Sequence, residues 1–216
     1  MDRSADQHAA RDFYTAELGE RLMRHLRTPP VEAAAALCRS AAARVPAYGE
    51  FLRAHGADGA AVTDAAAFAS LPLMTKENYI RRYELPARCR DGRLAACDML
   101  AVSSGSTGRP TVWPRALRDE LDVAFRFEQI FRDAFEAGRR ETLAVVCFPM
   151  GTWVGGMYTA ACCRHLAHKG YPVTVSTPGN KPEEIHRVVT ELGPYFQQVV
   201  LLGYPPFVKD VIDAGI

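Results

Sequence analysis

The sequence lacks any run of apolar residues that approaches the roughly 20 positions a membrane-spanning helix needs. It also lacks a secretory signal at its start, because MDRSADQHAARD mixes both charges where such a signal has a basic tip followed by an apolar stretch. These two absences predict a cytoplasmic protein with no membrane partner.

Neither sign of charge is in excess, since 26 Lys and Arg residues face 25 Asp and Glu residues and leave a net charge of +1. No overall field therefore attracts nucleic acid, and no nucleic-acid-binding motif is present, so no nucleic-acid partner is predicted. With 48% apolar and 24% charged residues over 216 positions, the composition excludes a disordered, collagenous or coiled-coil chain. The chain is long enough to bury one substantial core.

The six cysteines form no C-x-x-C pair and have no histidine at zinc-ligand spacing. The sequence therefore predicts no metal site and no redox couple, and reduced thiols. Cys147 lies in an apolar run, and Cys162 and Cys163 lie in a predicted helix, so all three are interpreted as small buried hydrophobic residues.

The first part of the chain, residues 1–95, is predicted to be a helical region. Apolar residues near helical spacing predict one amphipathic helix over residues 10–27, stopped by two prolines. An Ala-rich helix is predicted over residues 31–44 and a short one from residue 63 to Phe68. Thr75 is placed as the N-cap of a further short helix.

The second part, residues 96–216, has the alternating strand and helix pattern that is typical of an α/β fold. A strand, a small-residue loop and a second strand precede a helix predicted over residues 116–137, with Gly138 at its end. Apolar strands and helices then alternate, with strands predicted at 142–148, 171–177 and 198–203 and helices at 155–170, 182–193 and 207–215. This alternation predicts a mostly parallel sheet flanked by helices.

The most informative segment is the small-residue loop. Residues 103–109 contain four hydroxyl side chains, two glycines and one arginine. Glycines let backbone N–H groups converge on an anion, hydroxyls add donors and Arg109 neutralises charge, so the segment fits a polyphosphate. It matches neither G-x-x-x-x-G-K-[ST] nor G-x-G-x-x-G, and its composition alone favours a flexible hairpin loop.

The order SSGSTGRPT over residues 103–111 resembles the phosphate-binding loop of the adenylate-forming superfamily, and in particular that of its phenylacetate-CoA ligase branch. That superfamily includes acyl-CoA synthetases, peptide-synthetase adenylation domains and luciferases. Three other segments resemble the branch in the same order: LPLMTKENY at 71–79, GTWVGG at 151–156 and LGYP at 202–205. The resemblance thus extends from about residue 71 to the end of the chain.

The resemblance implies ATP-dependent activation of a small carboxylic acid, with ATP, Mg²⁺ and CoA as cofactors. A carboxylate attacks the α-phosphorus of ATP, pyrophosphate leaves, and the acyl-adenylate passes to the thiol of CoA or, as an open alternative, to a protein thiol. By the same resemblance, residues 96–216 form part of a nucleotide-binding subdomain. The residues implied to bind the phosphates are Ser103, Ser104, Gly105, Ser106, Thr107, Gly108 and Arg109. No catalytic residue is assigned.

The turn FPMGTWVGG is the candidate wall of the acid pocket, with Trp153, Gly155 and Gly156 as candidate substrate-binding residues. The alternative is that Trp153 is a core aromatic and the glycines only let a helix pack closely on the sheet. Three histidines within predicted helices are interpreted as solvated: His165, His168 and His186. Lys169 is interpreted as a charge near a helix C-terminus, where the helix dipole favours it.

The resemblance also implies parts that this chain does not contain: an aromatic-Gly-x-Thr-Glu segment with the Mg²⁺ ligand, a ribose-binding aspartate, a hinge, and a C-terminal domain with a lysine. We therefore expect the N-terminal part of a ligase that is inactive by itself. A fragment of a longer protein, one half of a split enzyme with a partner chain, and a non-catalytic interaction module remain open. An uncovered sheet edge would favour a partner or a homo-oligomer.

Overall fold

A computed structural model describes residues 3–103 and 110–215. The chain divides into two units, one comprising residues 19–99 and the other residues 2–18 together with 100–216. The amino-terminal helix therefore groups with the second unit. No helix among the described residues combines the length and the apolar character that crossing a bilayer requires.

The helices of the first part follow one another with short connections. They are α1 (Arg3–Thr15), α2 (Leu18–Arg27), α3 (Pro30–Arg44), α4 (Pro46–Ala54) and α5 (Ala65–Ala69). The prediction of one helix over residues 10–27 was wrong, because the chain breaks between α1 and α2. At the break, the carbonyl of Ala16 accepts a hydrogen bond from Lys169 Nζ at 2.9 Å, a tertiary contact that local periodicity does not reveal.

Side-chain caps start two short helices of the 19–99 unit, and the cap at Thr75 was predicted. Asp64 accepts a hydrogen bond from the Ala67 amide at 2.8 Å at the start of α5. Thr75 Oγ1 accepts from the Asn78 amide at 3.1 Å, while the Thr75 amide donates to Asn78 Oδ1 at 2.6 Å, which completes a capping box. The helix that follows is one wide turn, Lys76–Ile80.

Helix α4 was not predicted, although Pro46 occupies its first turn, a common helix-starting signal. Its Phe51 is fully buried. A Cβ at Gly49 would lie 2.8 Å from the Ala42 carbonyl oxygen, so glycine is what allows α4 to approach α3. Only nine residues long, α4 is recognisable by this packing rather than by its periodicity.

The second unit is built on a three-stranded parallel sheet, which confirms the α/β prediction in its coarse form. Its elements are β1 (Met99–Val102), β2 (Val112–Arg115), α6 (Leu117–Phe135), β3 (Thr142–Val146), α7 (Val154–His168), β4 (Val173–Ser176), α8 (Pro182–Leu192), β5 (Gln198–Leu202) and α9 (Pro205–Gly215). The strand order is β4-β3-β5, and β1 pairs separately with β2. Thr142 stands opposite Val173 and Gln198 in the register.

Every residue of β3 is buried, as its apolar sequence predicts for a central parallel strand. Leu143, Val145 and Cys147 pack with residues of α8 and α9, while α7 packs against β4 and α6. Helix α6 ends earlier than predicted: Glu136, not Gly138, takes the left-handed conformation at φ 52°, and its amide donates to the Phe131 carbonyl.

Two polar clusters connect α1, α6 and α7 within the second unit. Lys169 Nζ lies 2.8 Å from the carboxylate of Glu128, and Tyr171 Oη donates to that carboxylate at 3.0 Å. His165 lies between Tyr14 Oη at 2.5 Å and Glu120 Oε1 at 2.6 Å. The prediction of a solvated side chain was therefore wrong for His165, because it faces the partly buried carboxylate of Glu120 on α6. Lys169 lies at the carboxyl end of α7, as predicted, and also pairs with the buried carboxylate of Glu128.

The prediction was also wrong for a second histidine. His186 Nε2 forms a 2.7 Å hydrogen bond with the Val211 carbonyl, which joins α8 to α9. His168 is exposed, as predicted.

Candidate functional site

The candidate site lies at the carboxyl edge of the parallel sheet. The segment after β3 forms the turn Phe148–Trp153 that leads into α7, and Gly203 directly follows β5. A Cβ at Gly203 would lie 3.0 Å from the Cβ of Cys147, so glycine allows the ends of β3 and β5 to lie close together. Ligands of parallel α/β sheets bind outside this edge.

The base of the small-residue loop lies beside this turn. The Val102 amide, at the end of β1, donates to the Thr152 carbonyl at 2.8 Å, and Val102 forms a parallel bridge with Trp153. The structure thus brings two segments singled out in the sequence into direct backbone contact: the strand that enters the loop and the turn that carries Trp153. Sequence order alone gave no distance between them.

Ser103 is the only candidate phosphate-binding residue within the described ranges. Its amide donates to the Thr111 carbonyl at 3.0 Å, and its Oγ accepts from the Thr111 amide at 3.4 Å. The Ser103 amide therefore already donates to the Thr111 carbonyl. The hydroxyl proton of Ser103 is the donor that an anion could accept from. The other candidates, Ser104, Gly105, Ser106, Thr107, Gly108 and Arg109, lie outside the described residues.

The candidate acid-pocket residues have different environments. Trp153 is 40% exposed, so it is not a core aromatic. Gly156 is buried, and a Cβ there would lie 2.3 Å from the Pro149 carbonyl oxygen, so this glycine lets the turn pack on the start of α7. A Cβ at Gly155 would meet only the Phe148 ring, at 3.6 Å. The turn is thus held by backbone packing at Gly156 while presenting the Trp153 indole at the surface.

Two further polar side chains lie near each other, one at the end of β2 and the other in α7. Arg115 lies at the end of β2 with its guanidinium 5.5 Å from the ring centre of Tyr158. Arg115 Nε and Tyr158 Oη are buried without a hydrogen-bond partner among the described residues. Burial raises the pKa of Tyr158, so its hydroxyl stays protonated and remains a donor at neutral pH. No motif marks this pair in the sequence.

The thiols do not form a nucleophilic site. Burial raises the pKa of Cys147 to about 11 and that of Cys163 to about 12, and it also raises the pKa of Cys162. A nucleophilic cysteine needs the opposite shift. All three are buried and free, as the sequence predicts.

We expect thiol labelling to separate one cysteine from the others. Cys97 is the one cysteine among the described residues that is not buried, so a disulfide reagent at pH 8 should modify one thiol rapidly in the native chain and all six in denaturant. The measurement is the time course of released chromophore. Cys97→Ser should remove the fast phase; rapid modification of Cys162 or Cys163 would contradict the burial described above.

Among residues 3–103 and 110–215, no three His, Cys, Asp or Glu side chains come together as a metal site. No protein-family model matches the chain, and no curated protein is significantly similar to it.

Proposed function

We propose that this chain is the N-terminal part of an ATP-dependent ligase that activates a carboxylic acid, similar to the phenylacetate-CoA ligases. We also propose that the β4-β3-β5 sheet is part of the large domain of an adenylate-forming enzyme.

One observation carries the proposal: the hydrogen bond from the Val102 amide to the Thr152 carbonyl. Formation of an acyl-adenylate requires the carboxylate of the acid and the α-phosphate of ATP to meet in one place. The bond joins the base of the candidate phosphate loop to the candidate acid-pocket turn, so ligands held by the two segments would be neighbours. Holding reactants side by side is one of the main contributions a protein makes to such a reaction.

In the first step, a carboxylate oxygen uses a lone pair to form a bond to the α-phosphorus. The bond from that phosphorus to the α,β-bridging oxygen breaks, and pyrophosphate leaves with the electron pair. Ser103 would donate its hydroxyl proton in a hydrogen bond to the departing phosphates, and Arg109 would neutralise their charge. Mg²⁺ bound to the ATP would neutralise part of the negative charge that develops on the phosphates.

In the second step, a thiolate attacks the acyl carbon and AMP leaves with the electrons of the broken carbon–oxygen bond. The acceptor is CoA or a protein thiol. Trp153 offers a flat apolar surface beside the reacting groups, which suits an aromatic or medium-sized apolar acid.

The proposal is tested by exchange of labelled pyrophosphate into ATP, using the natural gene product that contains this chain. Exchange should require a carboxylic acid, and Arg109→Ala should slow it by about 100-fold, because one positioned charge on the leaving group is lost. Arg139→Ala is the matched control, since it removes the same charge from an exposed position after α6. Exchange that needs no acid, or equal rates in both variants, would contradict the proposal.

A non-catalytic interaction module would bind neither ATP nor pyrophosphate and would show stable association with a second protein. The same experiment separates it from the ligase, since neither variant would then have an exchange rate to lose.

A further inference from the structure

A cavity lies within the helical unit of residues 19–99. The inference drawn from it does not depend on the proposed ligase function. Its volume is about 370 Å³, near the lower end of the range for small-molecule sites. Its lining is mostly apolar and comes from α3, the start of α4, α5 and the segment after it. Residues that carry the argument are Leu37, Cys38, Tyr48, Phe68, Met74 and Arg88.

Three large apolar side chains surround this cavity and remain exposed to solvent. Leu37 is 63% exposed, Phe68 43% and Met74 51%. They come from α3, α5 and the segment before the capped turn, so three separate parts of the chain bring apolar surface to the same opening. A contiguous patch of this kind marks a binding site more often than isolated exposed residues do.

Two uncharged polar groups line the cavity beside each other, the thiol of Cys38 and the phenol of Tyr48. Cys38 is buried, and its Sγ lies 3.6 Å from Tyr48 Oη. Burial and the hydrogen bond with Cys38 raise the pKa of Tyr48 to about 12, so the phenol stays uncharged near pH 7. Tyr79 also lines the cavity, and burial raises its pKa. No negative charge on either phenol therefore repels an anion that enters.

Arg88 supplies the one cationic side chain of the lining. Its Nε is buried and has no hydrogen-bond partner among the described residues. A buried N–H group without an acceptor is costly, whereas an acceptor with a negative charge makes a strong hydrogen bond with a guanidinium. The cavity thus combines an apolar body with one cationic side chain, Arg88.

We propose that this cavity binds a small amphipathic monocarboxylate, with its hydrocarbon part among Leu37, Phe68 and Met74 and its carboxylate at Arg88. The apolar walls select for the hydrocarbon part and the guanidinium selects for the charge, so the two ends of such a ligand match the two kinds of lining.

The test uses sodium octanoate and 1-octanol as probes, which have the same chain length and differ in charge. The 216-residue chain, labelled with ¹³C at its methionine methyl groups, is titrated with each probe. Octanoate should shift the Met74 methyl resonance and leave those of Met150 and Met157 in place. Octanol should bind at least tenfold more weakly than octanoate.

Arg88→Gln should weaken octanoate binding about tenfold and leave octanol binding unchanged. Arg53→Gln is the matched control, because Arg53 is exposed on α4 of the same unit and does not line the cavity. Ala34→Leu places extra carbons in the lining and should weaken both probes, which keeps the test decisive if the Arg88 variant fails to fold.

Equal affinity for octanoate and octanol, or an unshifted Met74 methyl group, would overturn the proposal. A shift confined to Met150 and Met157 would place the probe at the carboxyl edge of the sheet instead. That outcome would contradict the cavity proposal and favour the acid-activating function. The experiment therefore distinguishes failure of the cavity proposal from failure of the proposed function.

Discussion

Lys169→Met should lower the free energy of unfolding by about 3–5 kcal/mol, because it leaves the carboxylate of Glu128 buried without its cation. The exposed fractions are 9% for the Lys169 side chain and 2% for that of Glu128. Lys169 also donates to the Ala16 carbonyl at the break between α1 and α2, so its loss should loosen the amino-terminal helix as well. Chemical denaturation followed by circular dichroism measures the change.

Lys209→Met is the matched control. Lys209 pairs with Asp213 on α9, but these side chains are 71% and 58% exposed. Removing an exposed pair should cost less than about 1 kcal/mol. Combining Lys169→Met with Glu128→Leu should recover part of the lost stability, since no buried charge is then left alone. A Lys169→Met variant as stable as the Lys209→Met variant would show that the buried pair does not hold these elements together.

Gly156→Ala should lower the free energy of unfolding by about 1–3 kcal/mol, the usual cost of forcing a methyl group into filled space. The added Cβ would lie 2.3 Å from the Pro149 carbonyl oxygen and 2.8 Å from Met150 Sδ. Because the nearest atom is a backbone carbonyl oxygen and not the end of a flexible side chain, the clash can be relieved only if the turn moves away from α7. We therefore also expect the Trp153 fluorescence spectrum to change.

Gly155→Ala is the control within the same helix turn. Its Cβ would contact only the Phe148 ring at 3.6 Å, which is an ordinary packing distance. Because alanine is the better helix former, stability should stay the same or rise by up to about 1 kcal/mol. Equal destabilisation by the two substitutions would mean that close packing at Gly156 does not fix the turn.

The sequence predicted the parallel sheet well, since β3, β4 and β5 are short apolar runs separated by helices with clear stops. Caps were also predictable: Asp64 and Thr75 have the side chains that accept from helix-start amides, and both do so. These features depend on residues close together in the chain, where pattern and chemistry act locally.

Tertiary contacts account for the features that were missed. At the break between α1 and α2, the Ala16 carbonyl accepts from Lys169, and His165 is held by Tyr14 and Glu120, all of them contacts between residues far apart in sequence. At the candidate site, the sequence singled out Ser103 and Trp153 separately. Their proximity comes from the bridge between β1 and the turn after β3, which no local pattern encodes.

The central proposal is that residues 103–109 bind the phosphates of ATP. Its most direct test is a titration of the ¹⁵N-labelled chain with magnesium pyrophosphate, followed by the backbone amide resonances. The account predicts saturable shifts at residues 104–109 and at Thr152 and Trp153, with α3 and α4 unaffected. Resonances that stay in place throughout, or that move only in the helical unit, would contradict it.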